Sequence, residues 1–146
     1  GVRETRKLQA LYRITGEDIA GGTRFADGIV ACDNPIDDVM RDSAEMTHEA
    51  AVGQGAYYTI PFRALVPETI ENLLFAGRLI CADPVAFASV RGMPQCMAMG
   101  QATGVAAAMA LEGALRVQDV NGEVLAGVLM QQGMAGIAGR TLGAVE

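Results

Sequence analysis

Apolar and polar positions change rhythm several times along the chain, and each rhythm predicts an element. Arg6 to Thr15 (RKLQALYRIT) alternates near period two through Leu8, Ala10 and Tyr12, with Ile14 closing the run, so a strand is expected there. Thr15 and Gly16 then precede Glu17 and Asp18, acidic residues suited to the first turn of a short helix that Gly21 and Gly22 would end. Ala26 to Cys32 fits a further short strand or a helical turn. From Asp33 to Gly55 the periodicity dissolves among Asp, Asn, Pro, Ser, Glu and Gly, which predicts a loop with one helical turn around Ser43 to His48. Ala56 to Ile60 and Phe62 to Val66 are rich in β-formers and read as two strand pieces parted by Pro61.

The second half has a longer rhythm. Asn72 to Ala76 (NLLFA) is a compact apolar run stopped by Gly77, the pattern of a short strand buried on both faces. Leu79 to Val90 is interrupted by Asp83 and Pro84 and predicts a loop with a helical turn. Pro94 suits the opening of a long helix, where its missing N–H has no intrahelical partner to lose, and that helix should run to Leu111 with Gly113 as its stop. Asn121 can cap a closing helix whose apolar face is Val124, Leu125, Val128 and Leu129, with Gly133 ending it. After Met134 the Gly- and Ala-rich tail reads as loose. The fold class is α/β in an α+β arrangement: a small antiparallel β region over residues 1–70, then a strand, a long Ala/Gly-rich helix and a closing helix over 71–133, then a tail over 134–146. With no internal repeat or linker in sight, one domain is expected.

Composition narrows the functions this fold could serve. Apolar residues make up 51% of the 146, enough for a core. A net charge of −6, from 17 acidic and 11 basic side chains, and no basic cluster longer than Arg3, Arg6 and Lys7 argue against a nucleic-acid surface. Cys32, Cys81 and Cys96 are odd in number, widely spaced and set among apolar residues, so they read as three buried thiols in a reducing cytoplasm. One His and three scattered Cys give no metal-ligand spacing, so no metal is expected. Met93 to Leu111 carries Gln95, Gln101 and Thr103 and reads as a buried helix of a soluble protein rather than a membrane span. No basic and apolar leader is visible, and the start at Gly1 reads as a cut inside a longer protein.

The segment that points to chemistry is Asn72 to Ala108: strand, Gly-Arg turn, irregular loop, and a helix opened by Arg91-Gly92-Met93-Pro94. A helix start presents unpaired N–H donors and about half a positive charge, so it stabilises a phosphate or the anionic edge of a reduced ring system. Gly77 lets the backbone turn or approach a ligand, Gly92 does the same at the helix start, and Arg78 and Arg91 bring planar cationic forks to either side. Together these residues resemble an anion clamp. Within the helix, Gly100, Gly104 and Ala108 recur in steps of four as a smooth stripe suited to close packing on a sheet or another helix.

Four stretches in order, GVRETR (Gly1 to Arg6), IPFRALVP (Ile60 to Pro67), NLLFAGR (Asn72 to Arg78) and SVRGMPQCMAMGQATGVAAAMA (Ser89 to Ala110), resemble the C-terminal half of the FAD-dependent oxidoreductase family with a glutathione-reductase-type nucleotide fold. The resemblance extends over most of the chain up to Gly133. It implies that the strand ending at Ala76 completes an FAD-binding Rossmann-like domain, with Gly77 and Arg78 beside the pyrophosphate or ribityl chain. It further implies that the backbone of Gly92, Met93 and Pro94 meets the pyrimidine edge of the isoalloxazine, with Arg91 near a substrate carboxylate or the flavin edge. Arg3, Tyr58 and Arg63 would face the substrate from the antiparallel region.

The chain departs from the family pattern at two places. The GxGxxG turn that cradles the FAD diphosphate is not found; Gly53-Gln54-Gly55 and Gly100 to Gly104 follow no buried strand and lack the third glycine. Where the family often carries Asp-x-His, this chain has Asp37-Asp38-Val39, and its one imidazole, His48, lies in a polar stretch and reads as solvated. Two readings follow. In the first, an N-terminal segment supplies the diphosphate loop, this segment supplies the flavin-ring contacts, and hydride passes between a small-molecule substrate and FAD. In the second, the chain is a non-catalytic remnant or oligomerisation module that does not hold FAD by itself. The sequence names neither substrate nor electron acceptor.

Overall fold

A computed structural model describes residues 6–39, 46–49, 52 and 56–134. The tail expected to be loose lies outside the described residues, as does Arg3. Thr15 opens the first helix, α1 (Gly16–Ala20), through a capping box: its hydroxyl accepts from the Asp18 N–H, and the Asp18 carboxylate accepts from the Thr15 N–H. Strand β1 (Gly28–Cys32) follows, then β2 (Ile36–Val39), β3 (Met46–Glu49) and β4 (Tyr58–Pro61). β1 pairs antiparallel with β4, and β2 with β3, as two separate two-stranded sheets. Helices α2 (Pro84–Val90), α3 (Met93–Glu112) and α4 (Gly122–Gln131) complete the order, giving the mixed α/β class that the patterning implies.

Several expectations are corrected here, each by a partner distant in sequence. The 6–15 run is extended but makes isolated bridges at Ala10 and Ile14 rather than a ladder. It is laced on both sides: Leu11 N–H donates to Val66 O on one flank, and Leu8 and Ile14 N–H donate to Leu79 O and Cys81 O on the other. Phe62–Leu65 is a 3-10 turn, not a strand, because the Phe62 N–H is drawn to the Asp27 carbonyl at 2.9 Å and the Arg63 N–H to the Asp27 carboxylate at 3.4 Å. Met46–Glu49 is a strand where a helical turn was expected; Ser43 to Glu45 lie outside the described residues. Leu73–Ala76 forms no ladder. Asn72 adopts φ 54° and exchanges hydrogen bonds with the 117–118 turn, so the chain enters this stretch from a tied bend, and the Phe75 N–H bonds singly to Leu65 O.

The core lies between the β1–β4 ribbon and the two long helices. β1 is buried on both faces, and Ile29, Val30 and Ile60 join Met99, Ala102, Ala106, Leu125 and Leu129 in one apolar cluster. Small side chains at positions 102, 106 and 110 let α3 approach the ribbon closely. The stripe expected to pack, Gly100, Gly104 and Ala108, faces the opposite way: all three are exposed, and a Cβ on either glycine would meet nothing within 4 Å. An Ala/Gly-rich helix carries almost no hydrophobic contrast between its faces, so periodicity alone could not choose the buried one. On α4 the buried residues are Leu125, Ala126 and Leu129, while Val124 is exposed.

Candidate functional site

The turn after Ala76 and the start of α3 come together from positions thirteen or more residues apart. Gly77 takes φ 76°, a left-handed value that glycine accepts without strain, and this starts the 3-10 turn Gly77–Leu79. The turn aims Arg78 at the helix start, where its Nε donates to the Arg91 carbonyl at 3.3 Å. Cys96 Sγ lies 3.8 Å from the same carbonyl and 3.7 Å from where a Gly77 Cβ would sit. Of the two cationic forks expected on either side of the helix start, Arg78 therefore acts as a tie between the two loops. Arg91, half-buried, receives that tie on its backbone oxygen. Cys96 is half-buried rather than buried; burial pushes its thiol pKa up, and the neighbouring Arg78 charge opposes that shift.

Gly92 is the N-cap of α3, Met93 its first residue and Pro94 its second, and no side chain caps the helix. The first intrahelical bond runs from the Cys96 N–H to the Gly92 carbonyl at 3.0 Å. Because proline has no N–H, helix geometry leaves the amides of Met93 and Gln95 as donors without an intrahelical acceptor. Met93 is 75% exposed and Pro94 is exposed, so the end of the helix is open on that side. A Cβ on Gly92 would overlap Gln95 Oε1 and lie 3.1 Å from Asn34 Nδ2, so a larger residue at the cap would displace the end of the Gln95 side chain. Gln95 is buried, and its Oε1 has no hydrogen-bond partner. Sequence reasoning passed over Gln95; its signal was a glutamine three residues after the N-cap, where a capping-box side chain would sit.

A buried hydrogen-bond chain fixes the other wall. The Ser89 hydroxyl donates to the Asn34 carbonyl at 2.7 Å, so its oxygen accepts from the Tyr58 hydroxyl at 2.6 Å. Tyr58 is 1% exposed and in contact with Cys32, whose thiol is pushed up to about 12 by burial. The structure thus places Tyr58, expected to face a substrate, inside the core, where it helps to hold Asn34 beside Gly92. Arg63 is partly exposed and lies elsewhere: it pairs with Asp27 at 3.4 Å, and its guanidinium sits 4.9 Å from the centre of the Tyr12 ring. Asp37 and His48 are cross-strand Cα partners in the β2–β3 register, although ten residues separate them along the chain.

Among the described residues no group of three His, Cys, Asp or Glu side chains could hold a metal ion. None of the described helices is long and apolar enough to cross a membrane. An open groove of about 950 Å³ runs beside the 6–13 segment, with Arg6, Lys7 and Arg13 on its rim and Phe75 and Leu79 among its apolar lining. None of the residues at the α3 start lines it.

The profile of the FAD dependent oxidoreductase family matches residues 1–129. No curated protein and no solved structure matches the chain.

Proposed function

The chain belongs to the FAD-dependent oxidoreductase family, and from that premise we propose that it supplies flavin-ring and pyrophosphate contacts for hydride transfer between a small-molecule substrate and FAD. The observation that carries this reading is the α3 start: two backbone donors that helix geometry leaves without an intrahelical acceptor, no side-chain cap, and a buried acceptor without a partner, all in one place. These features fit a flat ring with polar edges. Gly92, Met93 and Pro94 would hold the ring's pyrimidine edge, and the positive end of the helix would favour negative charge there. Gly77 and Arg78 would lie along the pyrophosphate or ribityl chain. FAD, when bound, would supply the hydride-accepting and hydride-donating chemistry, and the protein supplies orientation and electrostatics. Arg91 would bind a substrate carboxylate or the flavin edge, with Arg3 as a further substrate-side cation.

In this reading the glycine-rich diphosphate loop, absent from these 146 residues, comes from an N-terminal segment of a glutathione-reductase-type, Rossmann-like fold. Thiols unpaired in disulfides suit a cytoplasmic setting. Arg91→Ala is expected to slow reduction of protein-bound FAD by tenfold or more in stopped-flow absorbance, with the folded fraction unchanged. Reduction at the unmodified rate would remove Arg91 from the site. A second reading, a non-catalytic oligomerisation module, draws on the α3 face that carries Met97 at 76% and Leu111 at 83% exposure beside the bare Gly100 and Gly104.

A further inference from the structure

Gln95 Oε1 sets a chemical requirement that the rest of the helix start does not. The side chain is 5% exposed, and its amide oxygen lacks any hydrogen-bond partner. A buried acceptor left in that state is costly, so a native protein that keeps one commonly has a partner from outside its own chain. The oxygen lies where a Gly92 Cβ would sit, Asn34 Nδ2 is 3.1 Å from that same point, and the Met93 and Gln95 amides have no intrahelical acceptor by helix geometry. One acceptor and several donors therefore meet at the cap.

This combination separates ligand classes. A carboxylate or a phosphodiester offers only acceptors at neutral pH; it would satisfy the donors and leave Oε1 unpaired. An imide edge, in which an N–H lies beside a carbonyl, satisfies both. Resting on the FAD reading above, we infer that Gln95 is a specificity residue for the flavin ring: its Oε1 accepts from N3–H, while the helix-start donors take the adjacent C2 oxygen. A flavin whose N3 carries a methyl group offers no proton to Gln95.

The test is a fluorescence titration of the protein with FAD and with FAD methylated at N3, repeated on Gln95→Leu. The unmodified protein should bind FAD at least tenfold more tightly than the methylated form, and Gln95→Leu should lose about tenfold in FAD affinity and bind the two flavins alike. Equal affinity for both flavins in the unmodified protein overturns the assignment without any variant, and so does a preference that survives in Gln95→Leu. In both cases FAD still titrates, so the FAD reading stands. If the unmodified protein binds neither flavin, the FAD reading falls and takes this inference with it.

Discussion

At the scale of single residues, the chain from Cys32 through Tyr58 and Ser89 to the Asn34 carbonyl links the core to the candidate site. Burial raises both the Cys32 thiol and the Tyr58 phenol, so the folded state holds protons that the unfolded chain releases in alkali. For a raised pKa the stabilising contribution is complete below the ordinary thiol value of 9.0 and disappears as pH climbs through about 12. Thermal melts should therefore show a Tm that is steady below pH 9 and declines between 9 and 12. Cys32→Val combined with Tyr58→Phe, which removes both ionisations, should flatten that decline. A slope that is the same in the double variant would assign the alkaline transition to other groups. Gln95 and Gly92 show the complementary case: Gly92 was legible because a glycine before Met-Pro announces a helix start, whereas the unpartnered Gln95 oxygen depends on burial, which no local pattern encodes.

Among the elements, two that carry their own caps were readable from sequence. Thr15 with Asp18 and Asn121 before Gly122 each place a side-chain acceptor at the first turn, a signal contained within four residues, whereas Asp83 before Pro84 caps a helix in a stretch whose pattern predicts a loop with a helical turn. Asp83 does more than cap. One carboxylate oxygen accepts from the Ala86 N–H at 2.7 Å, and the other accepts from the Gly16 N–H at 2.9 Å, so a single side chain joins the starts of α1 and α2. Asp83→Ala should cost about 2 kcal/mol in urea unfolding, one lost cap plus one unpaired amide, and Asp83→Asn should recover part of it. A loss within about 0.5 kcal/mol would mean that water replaces both bonds. The elements that misled were those set by distant partners. The 62–65 turn answers to Asp27, the bend before Leu73 to Gln118, and the β2–β3 hairpin to a pairing without an alternating pattern in either strand. The buried face of α3 was hidden for a different reason, since alanine and glycine look alike on every side of a helix.

On the scale of the whole molecule, the family match over residues 1–129 and the geometry at the α3 start bear on one claim, that this chain presents the end of a helix to the ring of FAD. The same molecule leaves an apolar stripe on α3 open at Met93, Met97 and Leu111. That stripe suits cover by a further protein segment or by a second copy. The most direct measurement is the visible absorption spectrum of the purified protein before and after incubation with excess FAD and removal of the free cofactor, with sedimentation of the same sample. The account predicts a retained flavin band that shifts from the spectrum of free FAD and travels with the protein. A protein that sediments folded, carries no band and takes up none would contradict it, leaving the oligomerisation module as the reading to pursue.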